Sequence, residues 1–188
     1  MQLPLSFLLM GKSMSNHTIM VEALRGPCAL RSFIQFPFSL FRDIPYWVPA
    51  LWMDDLNIFR TDKNTAYAFS EAKFWMAYQD GKPVGRIAGI INHRHIEKWG
   101  QPYACFGWFD FIDDRNGSAA LIKTVEDWVS EQGLKAVHGP LGFTDLDREG
   151  MLVEGFEEMS TLETHYNFAY YQDHLRAAGY QKDTNWVE

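Results

Sequence analysis

The side chains best suited to moving protons lie in the last third of the chain. Asp145 and Asp147 stand two apart in a loop, Glu154 sits in the apolar run 151–156, and His138, Tyr166 and Tyr171 complete the candidates. A carboxylate or neutral imidazole can take a proton at neutral pH, and a phenol can give one. Each has a plainer reading: a solvated loop pair, an exposed alternate position, or core packing. A second chemistry is offered by Arg115-Asn116-Gly117-Ser118-Ala119, which follows a strand-like run and opens a helical pattern. The first N–H groups of a helix, at the positive end of its dipole, can hold a phosphate. Asp113 and Asp114 oppose that with negative charge, and an ordinary capped turn is the alternative.

Other motifs carry less. His93-Arg94-His95 supplies two possible metal ligands without a third and reads as a polar strand end, so no metal is expected. Gly11-Lys12-Ser13 lacks the upstream glycine of a P-loop. Pro140 removes an N–H that a dinucleotide fingerprint at Gly139-Pro140-Leu141-Gly142 would use.

The elements that must position these residues are legible in patches. Leu30, Phe33, Ile34 and Phe38 share one helical face, which Pro37 must bend or end. Ile44-Pro45-Tyr46-Trp47-Val48-Pro49 is extended by its prolines, and Trp52, Leu56 and Phe59 suggest a short amphipathic piece. Residues 74–78 and 84–92 form two strands about an Asp80-Gly81 hairpin turn. A loop with Lys98, Gly100 and Pro102 leads to a third strand, 104–112. The helix 118–132 follows, with Ser118 as N-cap, Leu121, Val125, Trp128 and Val129 inward, and Gly133 as the stop. Ala136 to His138 is a short strand, parallel to the third as in any βαβ unit. A last helix, 171–178, stops at Gly179, and a strand begins at Tyr180. The expected architecture is α/β: a mixed, mostly antiparallel central sheet with one parallel βαβ unit and flanking helices.

Length and charge bound the rest. The 188 residues suit one domain, 14–188, with an aromatic helical part 14–70 and a sheet core 71–188. Met14 and Met20 are alternative starts, so residues 1–13 read as an extension; their apolar run is too short to span a bilayer. A net charge of −7, with no Lys/Arg cluster, argues against nucleic acid and against an aminoacyl-tRNA donor. Cys28 and Cys105 form neither a disulfide framework nor a zinc pattern, and read as buried free thiols in a reducing, cytoplasmic compartment. Phe36, Phe38, Phe41, Tyr46, Trp47 and Trp52 read as a lid packed on the sheet. A groove for a fatty chain, or contact with a bilayer surface, is the alternative. The sequence sets no oligomeric state.

In this order the elements resemble the GNAT acyltransferase superfamily. Ala177-Ala178-Gly179-Tyr180-Gln181-Lys182 is similar to the end of that family's fourth helix. More narrowly, the stretches 45–49, 106–114, 139–145 and 150–156, with Tyr166-Asn167, resemble the bacterial ceramide-synthase-like branch. That resemblance implies direct acyl transfer from acetyl-CoA or a longer acyl-CoA to a small-molecule or lipid amine, such as a long-chain base. It implies a donor site along Phe111 and Ile112, whose strand edge pairs with the pantetheine amides. The diphosphate would rest on Arg115, Gly117, Ser118 and Ala119. Three departures stand out: the phosphate turn is one residue short, Leu175 stands where the family often has an acidic Tyr, and the closing hairpin is cut short. Proteins of that branch are longer, so the chain reads as a first half. A catalytically degenerate interaction or structural domain of the same fold is the alternative.

Overall fold

The computed structural model describes residues 18–144, 146–161 and 164–185. Five strands, β1 (Ile19–Ala23), β2 (Ser70–Gln79), β3 (Lys82–Asn92), β4 (Tyr103–Phe111) and β5 (Ala136–His138), lie in sequence order across one sheet. All neighbours are antiparallel except β4 and β5. This is the mixed sheet with one parallel unit that the sequence implies. The β2–β3 turn has Asp80 at φ 50° and Gly81 at φ 76°. Two consecutive positive φ values are what a two-residue primed turn requires.

β3 is buried on both faces and divides the core. On one side Ile87 and Ile91 pack with Phe106, Phe109, Leu121, Val125 and Trp128, beneath α4 (Arg115–Glu131). On the other, Ala88 and Met76 meet Phe33, Ile34, Phe36 and Phe59, beneath α1 (Gly26–Leu40) and α2 (Trp52–Ile58).

Several local expectations change in three dimensions. α1 runs through Pro37 to Leu40 instead of ending there. Proline has no N–H for the carbonyl four residues back, that of Phe33; Arg86 on β3 supplies the donor, Nη1 to Phe33 O at 2.8 Å. Residues 93–99 form a helix, α3 (His93–Trp99), because the Asn92 side chain caps His95 N–H and Gly100 ends it at φ 65°. α4 starts at Arg115, capped by Asp114 instead of Ser118, which lies within the first turn and donates to Arg115 O. β1 is a strand through pairing with β2, a partner about fifty residues away that local pattern does not show. After α5 (Tyr170–Ala177), the described residues 180–185 join no strand; Tyr180 N–H closes the helix on Leu175 O. Cys28 is exposed instead of buried. The last three residues, where a closing hairpin was expected to continue, lie outside the described residues, as do residues 1–13.

β5 follows β4 only briefly. The ladder stops at Cys105 opposite His138, one further bond joins Leu141 N–H to Phe106 O, and β4 then continues to Phe111 without β5 beside it. The close approach at the parting point needs glycine: a Cβ on Gly107 would lie 2.2 Å from Leu141 O.

Candidate functional site

On the α1 side of the sheet, beside the free length of β4, lies a small cleft with a polar floor and aromatic walls. The walls arise from proline-shaped segments. Phe38 and Phe41 leave the end of α1, and Trp47 lies in the extended stretch between Pro45 and Pro49. Trp47 packs on Phe38 and Phe41 at 5.3 and 5.4 Å, and Tyr166 meets Phe41 edge-on at 5.6 Å. That stretch is held by Ser160, whose Oγ accepts from Val48 N–H at 3.0 Å and whose N–H donates to Tyr46 O at 2.9 Å.

The floor is made by Arg86 on β3 and Asp110 on β4, opposite each other in the antiparallel register. Arg86 Nε donates to Asp110 Oδ2 at 2.8 Å, with Nη2 at 2.7 Å from the same oxygen, and both side chains are nearly solvent-free. Such a pair is strongly coupled, because removing either member strands a charge in the core. Asp55 on α2, with Arg148 and His165 from the loops after β5, completes the lining.

Burial decides the protonation of this group. It pushes the Asp55 carboxyl up, against the pull of Arg86 and Arg148. It lowers the His165 imidazole, helped by the two arginines and opposed by Asp110. His165 is therefore neutral at pH 7, in the lining of a cleft that also holds two carboxyl groups. Burial, with Asp110 next, raises Tyr171 well above the ordinary phenol, so it stays an O–H donor. A half-buried carboxylate beside aromatic faces can hold an ammonium, and a neutral histidine can take its proton.

The residues picked out from sequence do not converge on one place. Tyr166 walls the cleft and donates to Phe156 O at 3.3 Å. Tyr171 reaches its floor from behind: its hydroxyl accepts from Phe111 N–H at 3.1 Å and lies 3.5 Å from Asp110 Oδ1. Glu154 is exposed, and Asp145 lies outside the described residues. Asp147 ties its own loop, accepting from Phe143 and Thr144 N–H at 2.7 and 3.1 Å. His138 faces Cys105, Nε2 to Sγ 3.1 Å, at the opposite end of β4. Burial drives that thiol up to about 12, so it is not a nucleophile at neutral pH. Among the described residues no group of three His, Cys, Asp or Glu is placed to hold a metal ion.

The donor-side residues meet the chain's own groups. Phe111 faces away from β3, and its N–H and C=O are bonded to the hydroxyls of Tyr171 and Tyr170, the latter at 2.6 Å. Ile112 N–H is bonded to Val84 O across the sheet. Gly117 N–H donates to Asp114, Ser118 Oγ lies 2.7 Å from His174 Nδ1, and Arg115 and Ala119 are exposed on the first turn of α4.

The residues that sequence reasoning missed are Asp55, Arg86, Asp110, Arg148 and His165. Two left a signal: Arg86 and Asp110 are opposite charges set in the apolar interiors of their strands. A charge in a buried strand needs a partner.

In sequence, the chain is 31% identical over 170 residues to Protein YghO of Escherichia coli, covering 90% of this chain and 43% of that protein. It is 25% identical over 169 residues to the bacterial ceramide synthase of Caulobacter vibrioides, covering 89% of this chain and 44% of that enzyme. The chain thus spans less than half the length of these relatives. No family model matches it. Among solved structures it superposes on a tandem GNAT protein from the clavulanic acid biosynthesis pathway with a TM-score of 0.58, at 12% identity, over 86% of this chain and 43% of that one. It matches an aminoglycoside acetyltransferase from an uncultured soil metagenomic sample, in complex with sisomicin, with a TM-score of 0.52 at 13% identity over 90% and 93% of the two chains. An aminoglycoside N-acetyltransferase in complex with CoA gives a TM-score of 0.53 at 12% identity over 92% and 93%.

Proposed function

The fold being that of the GNAT proteins, we propose that this chain forms the acceptor side of an acyl-CoA-dependent N-acyltransferase that passes an acyl group directly to an amine. The observation that carries the reading is the cleft: neutral His165 beside Asp55 and Asp110, under four aromatic rings, where β4 runs free of β5. The amine arrives as an ammonium held by Asp55 and the rings. His165 takes one proton, the freed nitrogen lone pair attacks the thioester carbonyl, and the C–S bond breaks as the amide forms; the nitrogen's second proton passes to the departing sulfur, which leaves as the free thiol. Tyr171, kept protonated behind the floor, holds Asp110 from the far side and acts as a positioning residue.

An acceptor with a long apolar tail fits the aromatic walls and the sequence similarity to the bacterial ceramide synthase. Leu51 and Met53, exposed beside the cleft at 56% and 60%, suit contact with a lipid surface, and the free thiols suit the cytoplasm. No helix among the described residues is long and apolar enough to cross a membrane. The test is free-thiol release with short and long acyl-CoAs against a panel of amines. His165→Gln is expected to lower turnover by about 10²- to 10⁴-fold with the fold intact. Turnover unaffected by it removes His165 as the base, and no release with any acyl-CoA removes the activity.

A second reading, a GNAT-fold interaction domain without turnover, is favoured by the groups already on Phe111 and on the start of α4. It requires a folded protein that binds the amine panel or a partner but releases no thiol.

A further inference from the structure

The first N–H groups of α4 already have an anion. Asp114 accepts from Asn116 N–H at 3.2 Å through Oδ1 and from Gly117 N–H at 3.1 Å through Oδ2. Its neighbour Asp113 accepts from His174 Nε2 at 2.9 Å, and His174 Nδ1 lies 2.7 Å from Ser118 Oγ. α5 is thereby tied across the helix start at His174, as it is tied to Phe111 through Tyr170 and Tyr171. Arg115, exposed at the first helical position, is the guanidinium at this spot, and the His174 ring is already engaged by Asp113.

A diphosphate seated on those N–H groups would have to displace one carboxylate and lie against a second. Both carboxylates belong to the chain, so they are present at an effective concentration that a dissolved ligand does not reach. Charge-assisted bonds at a helix start are also among the stronger ones a carboxylate makes. Resting on the acyl-transfer reading for the choice of ligand, we infer that Asp114 is a built-in anion that keeps a donor's diphosphate off α4. The chain therefore discriminates against the nucleotide half of an acyl-CoA. Whatever grip it has on a donor comes from the acyl-pantetheine arm beside β4.

The experiment compares CoA, pantetheine and inorganic diphosphate by calorimetric titration into the wild type, Asp114→Ala and Asp114→Asn. In the wild type CoA binds no more tightly than pantetheine. Asp114→Ala, which frees two N–H groups and removes a charge, raises affinity for CoA and diphosphate by about tenfold or more and leaves pantetheine unchanged. Asp114→Asn keeps a capping oxygen without the charge and gives a smaller gain; it also covers the case in which the alanine variant fails to fold. The inference is overturned if the wild type already prefers CoA over pantetheine by about tenfold, or if neither variant gains. Failure of the acyl-transfer reading looks different: acyl-CoA and acyl-pantetheine both go unused while the anion gain of the variants remains.

Discussion

Arg86 donates from Nη1 to the carbonyl of Phe33 at 2.8 Å, and Phe33 carries the one carbonyl of α1 whose helical donor Pro37 has removed. The guanidinium also lies over the Phe33 ring, 5.0 Å from its centroid, while holding Asp110. One side chain thus joins the missing helical bond of α1 to the acid at the cleft floor, and stability and site geometry depend on the same bonds.

Arg86→Met leaves the Asp110 carboxylate buried without its partner and is expected to cost about 3–5 kcal/mol. Adding Pro37→Ala returns an N–H to Phe33 O and should recover about 1 kcal/mol in that background, and less in the wild type. Urea unfolding of the four proteins gives the coupling. Strict additivity would show that the two residues do not share the carbonyl.

Asp55→Asn separates stability from function. Its carboxyl is raised because burial disfavours the charge, so the amide is expected to raise the melting temperature at pH 7. If Asp55 holds the ammonium, the same change raises KM for the amine by about 10- to 100-fold. A variant that is less stable contradicts the burial penalty, and one that leaves KM alone refutes the ammonium-holding role.

His165 makes the protein sensitive to acid. Its folded pKa is lowered, so the unfolded chain binds the proton first, near pH 6.5. The stability it contributes is complete above about 6.5 and is lost as pH falls through the lower folded value. His138, also lowered by burial, acts in the same direction. Urea midpoints at pH 7.5 and 5 should differ less in His165→Gln than in the wild type. Turnover should fall with an apparent pKa below about 6.5; an acid limb that survives in His165→Gln assigns it to another group.

The two thiols should differ in rate. Cys28 is exposed, whereas the Cys105 thiol is pushed up to about 12 and faces His138. Iodoacetamide at pH 8 is expected to label one thiol per native chain and two in denaturant, read by mass spectrometry. Equal labelling of both in the native state would contradict this burial.

Gly107→Ala places a methyl 2.2 Å from the Leu141 carbonyl, where the neighbour is main chain and cannot turn aside. A loss of about 1–3 kcal/mol is expected, as for an overpacked core. A neutral result in urea unfolding would mean that β4 and the loop after β5 part more widely than described.

By itself the sequence determined the elements whose signals are local. The Asp80-Gly81 turn between two strand-like runs, the apolar stripe of α4 and its stop at Gly133 depend on neighbours within a turn or two, and they led to the mixed sheet. What only the tertiary structure decided are features whose partners lie far along the chain. β1 needs β2, the passage of α1 through Pro37 needs Arg86, and the cleft needs Asp55, Arg86, Asp110 and His165 brought together from four segments. The start of α4 shows the division most plainly. The residue types around Gly117 suggested a seat for a phosphate, but spacing cannot say which way a carboxylate turns. Folding placed Asp114 on those N–H groups because a tethered acceptor costs less to order than a free one.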